Sequence, residues 1–111
     1  MEPVEINAGA WYLRALRDDG RVTDRPALAD LGVTEPADYV IAAQQGWADE
    51  TRYTWAVCIP TTGELIAEIV VTPSGELIGR ARSGHEEALA ESLPVVRRFA
   101  EGALGITLGS T

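Results

Sequence analysis

The residues best suited to chemistry cluster between Gly79 and Leu89. Arg80 and Arg82 are two apart, so on a strand their side chains leave the same face. Ser83 and Gly84 follow, and then His85, the only histidine. A glycine-containing turn that feeds a helix N-terminus offers free amides and the positive end of a helix dipole, and both favour an anion. Arg80 and Arg82, with the amides of Ser83, Gly84 and His85, therefore form a candidate cradle for a phosphate or carboxylate. The plainer reading is a solvated strand end. His85 could act there as a neutral base, or stand as an exposed first-turn residue without a role.

The carboxylates near this stretch are Glu64, Glu68 and Glu76. Glu68 is surrounded by Ala67, Ile69, Val70 and Val71. In a strand it either faces solvent on the alternate side, the plainer expectation, or is held for general-base work. Glu76 is the second candidate base. Cys58 lies between Val57 and Ile59 with nothing nearby to lower its pKa, which predicts a buried, inert thiol. No metal is expected, because no second histidine exists and the carboxylates lack ligand spacing. No Ser-His-Asp, phosphate-loop or dinucleotide-binding pattern occurs.

These groups must be positioned by a small scaffold. The 111 residues suit one domain, 1–111. Nine Arg and no Lys stand against seventeen Asp plus Glu, a net charge of -8. That balance disfavours nucleic acid and anionic membranes as partners. Absent Lys beside abundant Ala, Arg, Gly and Val reads as the codon bias of a GC-rich genome. One cysteine excludes an internal disulfide and a cysteine-built zinc site. The start, Met1 to Glu5, has no apolar core, and no run approaches the roughly 20 apolar residues that cross a bilayer. A cytoplasmic location is the expectation.

Taken in order, Val4 to Leu16 reads as a first strand with a turn at Asn7 to Gly9. Arg17 to Arg25 is a charged turn, and Pro26 to Leu31 a helical turn ended by Gly32. Thr34 is the expected N-cap of a helix running to about Ala48, with Tyr39, Val40, Ala43 and Trp47 on its buried side. Residues 53–82 read as an antiparallel β-meander: Tyr53 to Ile59, Leu65 to Thr72 and Leu77 to Arg82. Turns fall at Pro60 to Gly63 and Pro73 to Gly75. A long helix over 84–104 follows. Its expected cap is a Ser83/Glu86 box, Leu89, Leu93, Val96 and Ala100 form its apolar stripe, and Gly105 ends it. Pro94 should kink it near Ala90. Ile106 to Leu108 could add a closing strand. The fold class is α/β (α+β), a meander with a long capped helix packed on it.

This order, and several words within it, resembles the N-terminal portion of a Gcn5-related N-acetyltransferase. Glu2 to Gly9 followed by Tyr12 to Arg14 looks like the opening of bacterial members that modify amino groups. Gly46 to Asp49, Tyr53 to Val57 and Thr61 to Leu65 look like their second helix and the hairpin after it. Glu87 to Leu89 and Arg98 to Gly105 resemble the helix after the coenzyme loop. The family's loop reads Arg/Gln-x-x-Gly-x-Gly/Ala; here Ala81 and Ser83 stand at the expected glycines. The family's C-terminal helix and strands have no counterpart, so the resemblance is to a truncated form with a degenerate coenzyme A loop.

The resemblance implies an acyl-CoA-dependent N-acyltransferase-like protein that uses acetyl-CoA and a small-molecule or amine acceptor. Ser83, Gly84 and His85 would bind the pyrophosphate, with Arg80 and Arg82 beside them. Edge backbone near Ile69, Val70 and Val71 would bind the pantetheine, and Glu68 or Glu76 would deprotonate the amine. The alternative is a non-catalytic accessory or small-molecule-binding domain that has lost coenzyme binding. In either case an unpaired sheet edge invites a homodimer.

Overall fold

In the computed structural model, residues 1–109 are described; positions 110–111 of the expected 1–111 domain lie outside them. Five antiparallel strands pair in chain order: β1 (Ile6–Ala8), β2 (Trp11–Arg14), β3 (Tyr53–Cys58), β4 (Leu65–Val71) and β5 (Leu77–Ala81). Helices α1 (Arg25–Asp30) and α2 (Pro36–Asp49) cover one face, and α3 (Glu86–Gly102) covers the other. The single first strand expected over Val4 to Leu16 is a hairpin, because Gly9, at φ 63°, folds it back on itself.

The central strands are buried on both faces, and every residue of β3 and β4 is shielded from solvent. Trp55, Val57, Ala67, Ile69, Val71, Val96 and Ala100 belong to the core under α3. Ala56, Cys58, Leu65, Val40, Ala43 and Leu28 fill the second core, under α1 and α2. A bulge shifts the register after Val57, so that Val57 faces Ala67 while Cys58 faces Leu65. The extra residue, Ile66, joins the α3 side and sends Leu65 to the other.

Two caps differ from expectation. Glu35, not Thr34, occupies the N-cap position of α2, and His85 occupies that of α3; neither makes a side-chain cap bond. The Ser83/Glu86 box does not form, because the helix starts at Glu86 itself. Along α3 the fully buried line is Ala88, Ser92, Val96 and Ala100, flanked by partly buried Leu89, Leu93 and Phe99. The helix continues through Pro94, which has no amide for the Ala90 carbonyl. Gly105 takes the left-handed conformation expected of it, φ 66°.

Residues 106–108 are not a strand. Ile106 and Leu108 are nonetheless buried, and the Gly109 amide donates to Gly75 O at 3.0 Å. The tail is held by packing. A Cβ on Gly75 would stand 2.5 Å from Thr107 O, on a backbone at φ 101°. Gly75→Ala should therefore cost about 1–3 kcal/mol and loosen the tail. Faster hydrogen exchange at Gly109, with β3 and β4 protected, is the expected readout.

Candidate functional site

The hydrogen-bond pattern of β5 decides which groups are available around it. Thr72 N donates to Glu76 O at 3.1 Å and Arg82 N to Ile66 O at 2.9 Å. Even-numbered residues from 76 to 82 therefore turn their backbone bonds toward β4. Leu77, Gly79 and Ala81 turn theirs outward, to the edge that no strand pairs among the described residues. This corrects the expectation of edge backbone at Ile69 to Val71. Val70 pairs with Thr54 and Ile78, and Val71 pairs with Tyr53 and Leu77, so β4 has neighbours on both sides.

Arg80 and Arg82 do leave the same face, toward α1 and α2, but each meets a carboxylate. Arg80 Nε donates to Glu68 Oε1 at 2.7 Å, its Nη1 to Leu31 O at 3.3 Å, and its Nη2 to the Tyr39 hydroxyl at 3.3 Å. Tyr39 donates to Glu68 Oε2 at 2.6 Å. Glu68 is 2% exposed, so the solvent-facing reading is overturned: α2 covers the face on which it was expected to be wet. Burial, and then the bond to Glu68, raise the Tyr39 pKa, which keeps the phenol protonated. For Arg80, burial alone would lower the pKa, but the Glu68 bond outweighs it and the guanidinium stays charged. Glu68 thus holds Arg80 and Tyr39 in place, with one oxygen on each.

Arg82 behaves differently. Its Nη2 meets Asp30 Oδ2 at 2.6 Å, and its Nη1 meets Glu64 Oε1 at 3.4 Å and Leu65 O at 3.1 Å. These residues line a cleft of about 330 Å³ with Ser83 and His85. A second cleft of about 330 Å³ shares Glu64 and Arg82 and runs past Arg21, Thr23, Asp24 and Gly63. His85 N donates to Arg82 O at 2.9 Å, and the amides of Ser83 and Gly84 make no backbone bond among the described residues. Gly84 sits at φ 89° with open space where a Cβ would be. So the Ser83 and Gly84 amides are open to an anion ahead of α3, while the His85 amide is spent on the turn. Glu86 and Glu87 already place negative charge in the first turn of α3.

The remaining candidates lie apart. Glu76 is four residues along the strand from Arg80, about 13 Å at ~3.3 Å per residue, and bonds to Thr72 in its own turn. Cys58 is fully buried, and burial pushes its thiol up to about 12. Among the described residues, no group of three or more His, Cys, Asp or Glu could hold a metal ion, and no helix is long and apolar enough to cross a membrane. The sequence reading missed the Arg14–Asp24 pair, of which Asp24 lines the second cleft. Arg14 Nη1 and Nη2 each lie 2.9 Å from an Asp24 oxygen, and both side chains are buried.

With this geometry in hand, the architecture can be matched to solved structures. The chain superposes on a Vibrio cholerae protein described as a ribosomal-protein-serine acetyltransferase with a TM-score of 0.73. The match covers 96% of this chain and 72% of that one, at 14% identity. An acetyltransferase from Agrobacterium tumefaciens superposes with a TM-score of 0.69 over 92% and 69% of the two chains, at 19% identity. The fold is that of the Gcn5-related N-acetyltransferases. No family model matches the sequence, and no curated protein does. At such identities the acetyltransferase scaffold is what this chain shares with them. The resemblance read from the order of elements agrees with that scaffold; the roles of individual residues rest on the contacts described above.

Proposed function

We propose that this chain is an acyl-CoA-dependent N-acyltransferase-type protein that receives the pyrophosphate of acetyl-CoA at the β5–α3 junction. One observation carries the reading. On an acetyltransferase scaffold, the amides of Ser83 and Gly84 stand unbonded just ahead of α3, and Ser83 and Arg82 line an open cleft there. Bound coenzyme would supply an activated thioester for direct attack by an amine. Direct attack needs no protein nucleophile, in keeping with a Cys58 thiol held at about 12.

A second reading, a scaffold that binds a small molecule without group transfer, is favoured by the state of the carboxylates. Glu68 is sealed by Arg80 and Tyr39, Glu64 and Asp30 pair with Arg82, and Glu76 stands at the far end of β5. None of these is a free base beside the cradle. Titrating acetyl-CoA by calorimetry separates the two from a domain that has lost the coenzyme. Heat and a thermal shift support coenzyme binding, and free thiol released with amine acceptors then supports transfer. Neither signal at millimolar acetyl-CoA sinks the coenzyme reading. Arg82→Ala should remove a charge-assisted contact worth about 1.5–3 kcal/mol, a loss of roughly tenfold or more in affinity. Unchanged affinity would remove Arg82 from the cradle.

A further inference from the structure

Arg80 and Arg82 leave the same face but are held in different ways. Arg80 is fixed to Glu68, whose side chain is 3% exposed and would be stranded without it. Arg82 is held by Asp30 and Glu64, whose side chains are 58% and 51% exposed, so water can solvate either once it lets go. Neither carboxylate has another partner among the described residues. Both line the cleft beside Ser83, and two carboxylates on one guanidinium already outweigh its charge.

Asp30 is the tighter of the two, at 2.6 Å against 3.4 Å for Glu64. It is also the last residue of α1, a helix of six residues and too short to stand without tertiary contacts. The start of α1 is fixed by the buried Arg14–Asp24 pair, and Leu28 is buried beneath its middle. Its end is fixed by Asp30 on Arg82 and by the bond from Arg80 to Leu31 O. The amides of Leu31, Gly32 and Val33 then bond back to carbonyls of Ala27, Leu28 and Ala29.

We propose that Asp30 is an internal occupant of the anion site: it holds Arg82 in the resting chain, and a phosphate takes that guanidinium by displacing it. This rests on the reading of the β5–α3 junction as a pyrophosphate site, and gives that site a competitor built into the fold. One anion replaces another on the same cation, so the phosphate gains only the difference between the two contacts. The end of α1 then keeps its bond to Arg80 and loses its ion pair. Binding at the junction is thereby coupled to loosening of α1, which lines one cleft with Pro26 and Ala27 and the other with Asp30.

Inorganic pyrophosphate, titrated into the full chain and followed by the NMR shifts of the Ser83 and Gly84 amides, tests this apart from the coenzyme. Asp30→Ala, at an exposed position, should tighten pyrophosphate binding roughly fivefold, the upper end for an exposed ion pair. The gain should vanish in the Arg82→Ala background, because the two side chains act through one contact. Saturating pyrophosphate should speed hydrogen exchange at Leu31, Gly32 and Val33 in the natural chain, and leave it unchanged in Asp30→Ala, where the ion pair is already gone. Equal affinity in the natural chain and Asp30→Ala overturns the proposal, as does exchange at these three amides that saturation leaves unaltered in the natural chain. So does a gain that survives Arg82→Ala, which is the general effect of one negative charge fewer, or pyrophosphate that shifts neither amide in either chain. Pyrophosphate that behaves as expected while acetyl-CoA gives no heat leaves the proposal standing and removes the coenzyme reading.

Discussion

Asp24→Ala should cost this protein about 3–5 kcal/mol of folding stability, read as the unfolding free energy in urea. The size follows from what the substitution leaves behind. Arg14 and Asp24 side chains are 6% and 2% exposed and meet through two 2.9 Å bonds. Asp24 also accepts the Arg17 amide at 2.7 Å, while Arg14 donates to Ala15 O and to Gly63 O. The pair thereby ties the segment before α1 to the β3–β4 turn. Burial alone would lower the Arg14 pKa, and the bond to Asp24 outweighs it, so the guanidinium stays charged. Without the carboxylate, that charge is buried and unpaired in a medium that solvates it poorly. A domain of this size has about 5–15 kcal/mol in all, so about a fifth or more would be lost. Replacing both partners with apolar residues, Arg14→Met with Asp24→Leu, should recover much of the loss, because no orphaned charge remains. A single-variant loss under about 1 kcal/mol would show that water reaches the pair and that it clamps nothing.

The same pair marks a limit of sequence reading. The segment from Arg17 to Arg25 is dense in charge, which ordinarily means a solvated loop, and nothing in the spacing of Arg14 and Asp24 suggests a shared cavity. The meander and α3 were plain, because turn glycines bracket apolar runs: Gly63 and Gly75 both take positive φ, and each strand begins two residues later. Glu68 was misjudged for a physical reason that the sequence did contain. Leu65 to Val71 is apolar almost without alternation, the mark of a strand covered on both faces, so its one carboxylate had no solvent side to occupy. The Pro73 to Gly75 turn also sets the register that brings Arg80 opposite Glu68. Covered strand and turn register together would have predicted the buried pair. The bulge at Ile66 and the start of α3 at Glu86 depend on packing across the sheet and left no local signature. The cradle residues were visible as a motif. That Arg80 and Arg82 would be claimed by separate carboxylates was not.

Trp55→Ala should be as damaging as Asp24→Ala, about 3–5 kcal/mol, by a different route. Trp55 is fully buried in β3 and meets Trp47 of α2 edge-on at 5.0 Å and Phe99 of α3 edge-on at 5.7 Å. Trp47 in turn meets Tyr53 at 5.1 Å and donates its indole N–H to Thr54 O at 3.1 Å. Both helical layers are thus joined to the central strand through one indole. Its own N–H donates to Val4 O at 2.8 Å, which fastens the segment before β1 to the same point. Truncation opens a cavity that rigid neighbours cannot close, since Trp55 is paired with Ile69 of β4 and β2 joins β3 from Ala56 onward. Trp55→Phe keeps most of the ring area and loses the bond to Val4, so about 1–2 kcal/mol is expected, with faster hydrogen exchange in residues 4–8. The double variant Trp55→Ala with Phe99→Ala should lose less than the sum of its parts, because the two rings share one contact. Additive losses would mean that α3 is held independently of Trp55, and the aromatic chain would then be two separate anchors.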